Sequence, residues 1–300
     1  MNKKMDKAIP KPGRARAWLI VLRPFALPWM AVNTLFGASL AAGGWPGLGA
    51  WLHGFLIVSL VLLFAHLVNA LRDFALGLDK IDDGSAAKPY TAGCQVIPRG
   101  WLSAKEVWAG ALVLLALSLV LLALAPLRLD VWILYTLGVA MAATYTDFFK
   151  PHGLGEVALF LGHGFAATTL AYTVLRPLTF QGLSAGVLMG LWAGLVYTVD
   201  QWQDTATDFL RRASSLAFLV VKGEMKVSQI WFFLVTAAYV TQVGTIMMGM
   251  LPAATLVSVF ILPLCHVAGI LLDAEFDKGV FVALVCMWAF ALLCALGIIL

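Results

Sequence analysis

Long apolar runs alternate with short polar stretches along the whole chain, and the runs decide what kind of fold is possible. The stretch "FLIVSLVLLFA" (55–65) is apolar without the period-two alternation of a half-buried strand. Several such runs exceed the ~18–20 residues that a helix needs to cross a ~30 Å hydrocarbon layer. Hydrocarbon offers the backbone no hydrogen-bond partners, so continuous spanning runs of this kind must be helices. The pattern predicts nine of them, near 17–42, 50–76, 103–125, 129–147, 154–175, 180–206, 228–249, 251–272 and 279–300. The separation of the seventh from the eighth rests on Pro252 and a short turn. The expected fold class is all-α: a polytopic membrane bundle of nine transmembrane helices.

Composition agrees. The chain is 62% hydrophobic and 12% charged, where soluble domains carry about a quarter charged residues. The first apolar segment holds Arg23 and Pro24 and is longer than a signal-peptide core, so it is expected to stay as a helix. Removing the spans leaves no soluble domain of useful size. Residues 1–16 are therefore expected as a basic tail and 17–300 as a single transmembrane domain. The cysteines Cys94, Cys265, Cys286 and Cys294 lack CxxC spacing, and three lie in apolar helices, so they are expected as buried small side chains.

Basic residues give the orientation. Lys3, Lys4, Lys7, Lys11, Arg14 and Arg16 precede the first span, and Lys80, Lys88, Arg99 and Lys105 follow the second. Arg211, Arg212, Lys222 and Lys226 follow the sixth, while the opposite side holds only Arg128 and Arg176. Cytoplasmic loops collect lysine and arginine, which predicts a cytoplasmic N-terminus. The acids are equally one-sided, with only Asp130 of sixteen expected on the outer face. No topology rule demands that, so the acids are expected to have a task on the cytoplasmic side.

Two acidic stretches supply one. "HLVNALRDFALGLDKIDDG" (66–84) closes the second span, and "VYTVDQWQDTATDFLRR" (196–212) closes the sixth. Spans an even number apart run in the same direction, so both stretches emerge at one face. Asp200, Asp204 and Asp208 recur every four residues and stack along one helix face; Asn69 and Asp73 have the same spacing. Gly77 is placed to end the helix and turn Asp79 back towards them. Carboxylates near hydrocarbon cost several kcal/mol each when unpaired, so something positive must offset them. The donors are all oxygen, which suits a hard divalent cation such as Mg²⁺, itself prone to bridge carboxylates to phosphate oxygens. A diphosphate also needs donors, and Arg72, Lys88 and Lys150 lie on that side. The plainer alternative is that acids and bases pair at a solvated helix end.

Histidines are a third group. His66 falls on the Asn69–Asp73 face, and His163 sits in "GEVALFLGHG". Each could take a proton from an acceptor, although lone bundle histidines, His266 included, more often bond to a neighbouring helix. Gly162 and Gly164 suit close helix packing or a widened cavity. The tryptophans are read mostly as interface anchors near span ends.

"NALRDFALGLD" resembles the first aspartate-rich motif of the UbiA superfamily of intramembrane prenyltransferases, in the NxxxDxxxGxD form of its dihydroxynaphthoate branch. "DQWQDTATD" is similar to the second motif. "YTAGCQVIPRGWLSAKE" resembles the loop after the second helix, and "YTDFFKPHGLGEVALFLGHG" the fourth loop and fifth helix. The sequence departs from the pattern at Ala70, Asp200, Gln203 and in "RRASSLA". The resemblance implies a bundle with a central cavity, capped by cytoplasmic loops near 77–102 and 207–227. It implies Mg²⁺-dependent transfer from an isoprenyl diphosphate to a small aromatic, quinone-precursor-like acceptor. It further implies that Asn69, Asp73, Asp79, Asp200, Asp204 and Asp208 bind metal and diphosphate, that Arg72 and Lys88 contact diphosphate oxygens, and that Tyr145 and Lys150 line the same site. Asp73, Asp204 and Tyr145 are then the expected catalytic residues. The bilayer is the expected surrounding, a prokaryotic cytoplasmic membrane with the site facing the cytoplasm. No nucleic-acid partner is expected. A transporter, the same chemistry on a lipid or other non-quinone acceptor, and a scaffold with a decayed site remain alternatives.

Overall fold

The structure, a computed structural model, describes residues 12–77, 95–203 and 225–300, and for 200–203 the backbone alone. Among the described residues, nine helices are long and apolar enough to cross a membrane. The helices are α1 (Arg14–Leu22), α2 (Leu27–Ala42), α3 (Leu48–Ala75), α4 (Ala104–Ala123), α5 (Leu129–Thr144), α6 (Gly155–Leu159), α7 (Ala167–Leu175), α8 (Phe180–Gln203), α9 (Val227–Met247), α10 (Leu262–Ala274) and α11 (Phe276–Ile299). Among the described residues two segments are π-helical, Tyr145–Phe149 after α5 and Phe160–Ala166 between α6 and α7. A 3-10 segment, Ala253–Ile261, opens the eighth span.

The expected spans are found within a few residues, with one difference. Residues 17–42 are not one helix. The chain breaks at Arg23, which adopts the left-handed conformation (φ 51°, ψ 58°) before a 3-10 turn at Pro24–Ala26. Pro24 is the cause: its ring disfavours α geometry at the preceding residue. The first membrane-crossing stretch accordingly starts at Pro24. The separation of the seventh and eighth spans holds, with Gly249 at φ 70° and Pro252 in the connection.

Contacts fix the directions. Gly138 of α5 faces Val61 of α3, and Thr146 bonds Asn69 further along both, so the second and fourth spans are parallel. The fifth and sixth are antiparallel: a side chain at Gly164 would strike the backbone of Gly190, and one at Gly155 would strike Tyr197. This glycine-permitted approach matters in lipid, where helices gain from close packing rather than from leaving water. Gly162 both packs closely on Met141 and borders the cavity. Gly138 also meets Ala166 and Gly162 meets Met141, so the fourth and fifth spans are antiparallel and the second runs parallel to the sixth, as their order predicts. Large apolar side chains such as Leu112, Val120, Phe233, Phe260 and Phe281 are exposed on the outside, as a lipid-facing surface requires. Trp29, Trp192 and Trp231 are instead buried, so these three pack the core rather than anchor an interface. Cys265, Cys286 and Cys294 are buried and unbridged.

Candidate active site

Helix α3 is 28 residues long, about 42 Å at ~1.5 Å per residue, against a hydrocarbon layer of ~30 Å. The apolar run ends near Val68, so the surplus carries Asn69, Arg72 and Asp73 to one end of the bundle. Asp73 is only 2% exposed there. Thr146, in the π-helical end of the fourth span, donates 2.7 Å to the Asn69 amide oxygen. That bond holds the side chain in place.

Below Asn69 opens a cavity of about 170 Å³. Its walls come from α2, α3, α5, the fifth span and α8, together with Arg23 at the helix break. The cavity is two-ended. Asn69, Tyr145, Lys150 and Tyr197 line one end; Val58, Leu134 and Leu170 line the other, about three helical turns away along α3. His66, His163 and Arg23 lie between these ends. Tyr145 and Tyr197 share a hydroxyl–hydroxyl hydrogen bond, and their rings meet edge to face at 6.0 Å. Lys150 is 6% exposed and so brings a positive charge into the wall.

The structure thus brings together Asn69, Tyr145 and Lys150 of the residues expected from the sequence, with Asp73 one turn beyond Asn69. Arg72 is not among the cavity-lining residues: half-exposed, it forms an ion pair with Asp147. Asp200 belongs to α8, three residues beyond the cavity residue Tyr197, and its side chain is not among those described. Asp79, Lys88, Asp204 and Asp208 lie outside the described residues. Among the described residues no three His, Cys, Asp or Glu side chains form a metal cluster. Asn69 and Asp73 nonetheless present oxygen donors one turn apart, with no sulfur between them. That donor chemistry fits Mg²⁺.

Three residues escaped the sequence reading. Arg23 belongs to the segment expected as one retained helix, but the break before Pro24 turns it into the cavity wall; the Arg-Pro pair was the signal. Tyr197 stood in the quoted acidic stretch and was passed over for the aspartates. Asn33 gave no signal. Fully buried, it donates 2.8 Å to the carbonyl of His163 and accepts from Thr168. Asn33 thereby ties α2 to the π-helical turn that carries His163.

At the far end of the bundle Arg128, Asp130 and Arg176 form a separate group. Arg128 donates to the carbonyls of Thr173 and Arg176, and Asp130 accepts 2.8 Å from the Leu178 N–H. These residues close helix ends and do not reach the cavity.

An apolar exterior, membrane-crossing helices and a cavity between them with one polar end define an integral, multi-pass membrane protein with an internal binding site. A model of the UbiA prenyltransferase family matches residues 30–289, and the chain belongs to that family of enzymes. Solved structures share the fold. An apo UbiA homologue from Aeropyrum pernix K1 is 20% identical with a TM-score of 0.66, over 92% of this chain and 97% of that one. A UbiA homologue from Archaeoglobus fulgidus bound to DMAPP and Mg²⁺ is 15% identical with a TM-score of 0.65, over 92% and 98%. A structure described for digeranylgeranylglyceryl phosphate synthase is 16% identical with a TM-score of 0.64, over 95% and 99%. No protein of curated function matches the chain.

Proposed function

We propose that the protein transfers a prenyl group from an isoprenyl diphosphate to a small aromatic, quinone-precursor-like acceptor, in the manner of the dihydroxynaphthoate branch of its family. The observation that carries this reading is the two-ended cavity. A prenyl diphosphate has a multiply charged head and a hydrocarbon tail, and the cavity offers Asn69, Lys150 and the nearby Asp73 to one and Val58, Leu134 and Leu170 to the other. The similar Archaeoglobus fulgidus protein with DMAPP and Mg²⁺ supports the choice of donor and metal.

In this reading Asn69, Asp73, Asp79, Asp200, Asp204 and Asp208 hold Mg²⁺, which when bound neutralises the diphosphate and stabilises charge on the departing oxygen. Lys150 sets a positive charge against the same head group, and Lys88 adds another. Arg72 would first have to exchange Asp147 for a diphosphate oxygen. The linked Tyr145 and Tyr197 hydroxyls share the polar end of the cavity with Asn69 and Lys150, and their rings can stabilise a cationic allylic carbon through their electron-rich faces. The apolar walls keep water from trapping that carbon. Residues 17–300 act as one domain, with the N-terminus and the site on the cytoplasmic side of a prokaryotic membrane.

A second reading keeps the donor and takes a lipid-linked acceptor; the likeness to the synthase of digeranylgeranylglyceryl phosphate favours it. Incubating purified protein with labelled prenyl diphosphates, a panel of hydroxyaromatic acids and a glycerol-phosphate lipid separates the two. Prenylated aromatic product with Mg²⁺ and none with EDTA is the expected result. Prenylated lipid alone selects the second reading, and absence of product from folded protein with every acceptor refutes both.

A further inference from the structure

The break at Arg23 has a consequence for the cavity. In a continuous helix the Ala26 N–H would bond the Leu22 carbonyl; here it bonds the carbonyl of Arg23 at 3.2 Å instead. The Leu22 carbonyl is left over, and His66 Nδ1 meets it at 2.7 Å. A carbonyl oxygen can only accept, so Nδ1 carries the hydrogen and, in the neutral ring, Nε2 carries a lone pair. Among the described residues no protein group meets Nε2. The ring lines the cavity one turn deeper than Asn69 on the same face of α3, about 4.5 Å further along the helix. His66 is therefore an oriented hydrogen-bond acceptor, set between the polar end of the cavity and its apolar depth.

We propose that His66 Nε2 accepts a hydrogen bond from a hydroxyl group of the prenyl acceptor, making His66 the residue that selects hydroxyaromatic acceptors and sets the ring beside the donor's allylic carbon. The inference rests on the prenyl-transfer reading for the identity of that acceptor. The chemistry is one-sided. A phenolic O–H satisfies the lone pair, and sharing its hydrogen leaves the ring more electron-rich at the positions next to and opposite the oxygen. An ether or a ketone of the same shape offers only further lone pairs, leaving Nε2 buried and unsatisfied once it fills the cavity.

The test separates this role from simple capping of Leu22. Calorimetric titration in detergent compares 1-naphthol with 1-methoxynaphthalene, the same ring with and without the hydroxyl hydrogen. Wild-type protein is expected to bind the naphthol about tenfold more tightly, the ordinary worth of one such bond. His66→Asn retains an amide N–H for the Leu22 carbonyl and lacks Nε2. It is expected to bind both probes alike, to melt near the wild-type temperature, and to keep the wild-type KM for the prenyl diphosphate. His66→Phe removes the cap as well and is expected to melt lower. Equal binding of the two probes by the wild type, no binding of naphthol, or an intact preference in His66→Asn each overturns the proposal. The wild-type comparison needs no variant to fold. A hydroxyl preference without prenyl transfer to any acceptor would sink the transferase reading alone, whereas transfer without the preference would sink this one alone.

Discussion

The residues that line the cavity all fall between Arg23 and Tyr197, while the three spans after Val227 pack against one another and against α2 and α8 without reaching it. The last three spans are the more apolar, with mean hydropathy from 1.6 to 2.7 against 1.2 to 2.3 for the first six, and the two groups are finished differently. In the last three spans, buried Gln242 donates 2.9 Å to the Thr255 carbonyl and 3.0 Å to the Ser258 hydroxyl. Trp231 Nε1 donates 2.8 Å to the Cys265 carbonyl, and the Tyr239 hydroxyl donates 2.8 Å to that of Ser258. Trp192 of α8 is packed at 4.6 Å from Phe290 and 6.4 Å from Tyr239, which joins the two groups. Among the described residues, the buried side-chain polar atoms that meet no protein partner include Arg23 Nη2 at the helix break, Ser39 Oγ and Ser59 Oγ in the first two spans, and Trp192 Nε1 of α8 where it packs against the last spans. Both π-helical segments lie there too, and they carry Tyr145, Gly162 and His163 to the cavity. Irregular backbone is tolerated at membrane depth only where protein or a cavity lining satisfies it. One part of the bundle is completed internally, while the other holds the cavity and, at its wall, the unpartnered Arg23 Nη2.

Three substitutions test that division. Asp73→Ala should have the largest effect, lowering prenyl transfer by about 10²–10³ while the protein still inserts and folds; turnover measured on purified, correctly folded protein checks it. Wild-type turnover in this variant would remove the head-group role of α3. Gly164→Val drives a side chain into the Gly190 backbone and should cost about 1–3 kcal/mol of stability. Because it prises the fifth span from the sixth at the cavity wall, turnover per folded molecule should fall with it, as a melting curve paired with an assay would reveal. Gln242→Leu leaves the Ser258 hydroxyl and the Thr255 carbonyl without their partner, a cost of about 1–3 kcal/mol. Turnover per folded molecule should be unchanged. A loss of turnover there comparable to that of Asp73→Ala would show that the last spans do shape the site, and the comparison would fail.

The span count was legible because a chain in hydrocarbon must bond its own backbone, so each apolar run of sufficient length can only be a helix. The parallel course of α3 and α8 followed from counting. The place of Asn69 in the cavity wall was legible, because its polarity is out of place in an apolar run, and Asp73 lies one turn beyond it on α3. Spacing was less informative for Arg72, which shares that stretch yet turns outwards to Asp147. It said nothing of Asn33, since a buried amide serving the His163 carbonyl is recognised only once the π-helical turn exists.

Sequence alone therefore determined that this chain is a bundle of membrane helices with oxygen-rich stretches closing its second and sixth spans. Lipid permits little else, and charges that cost so much to place there stand out in any reading. Tertiary structure decided which side chains meet. Pro24 turned Arg23 into the cavity and released a carbonyl to His66, and the approach of Gly164 to Gly190 helped set the distance between two walls. Those outcomes depend on how neighbouring helices fit sideways, and hydropathy along a single chain carries no record of its neighbours.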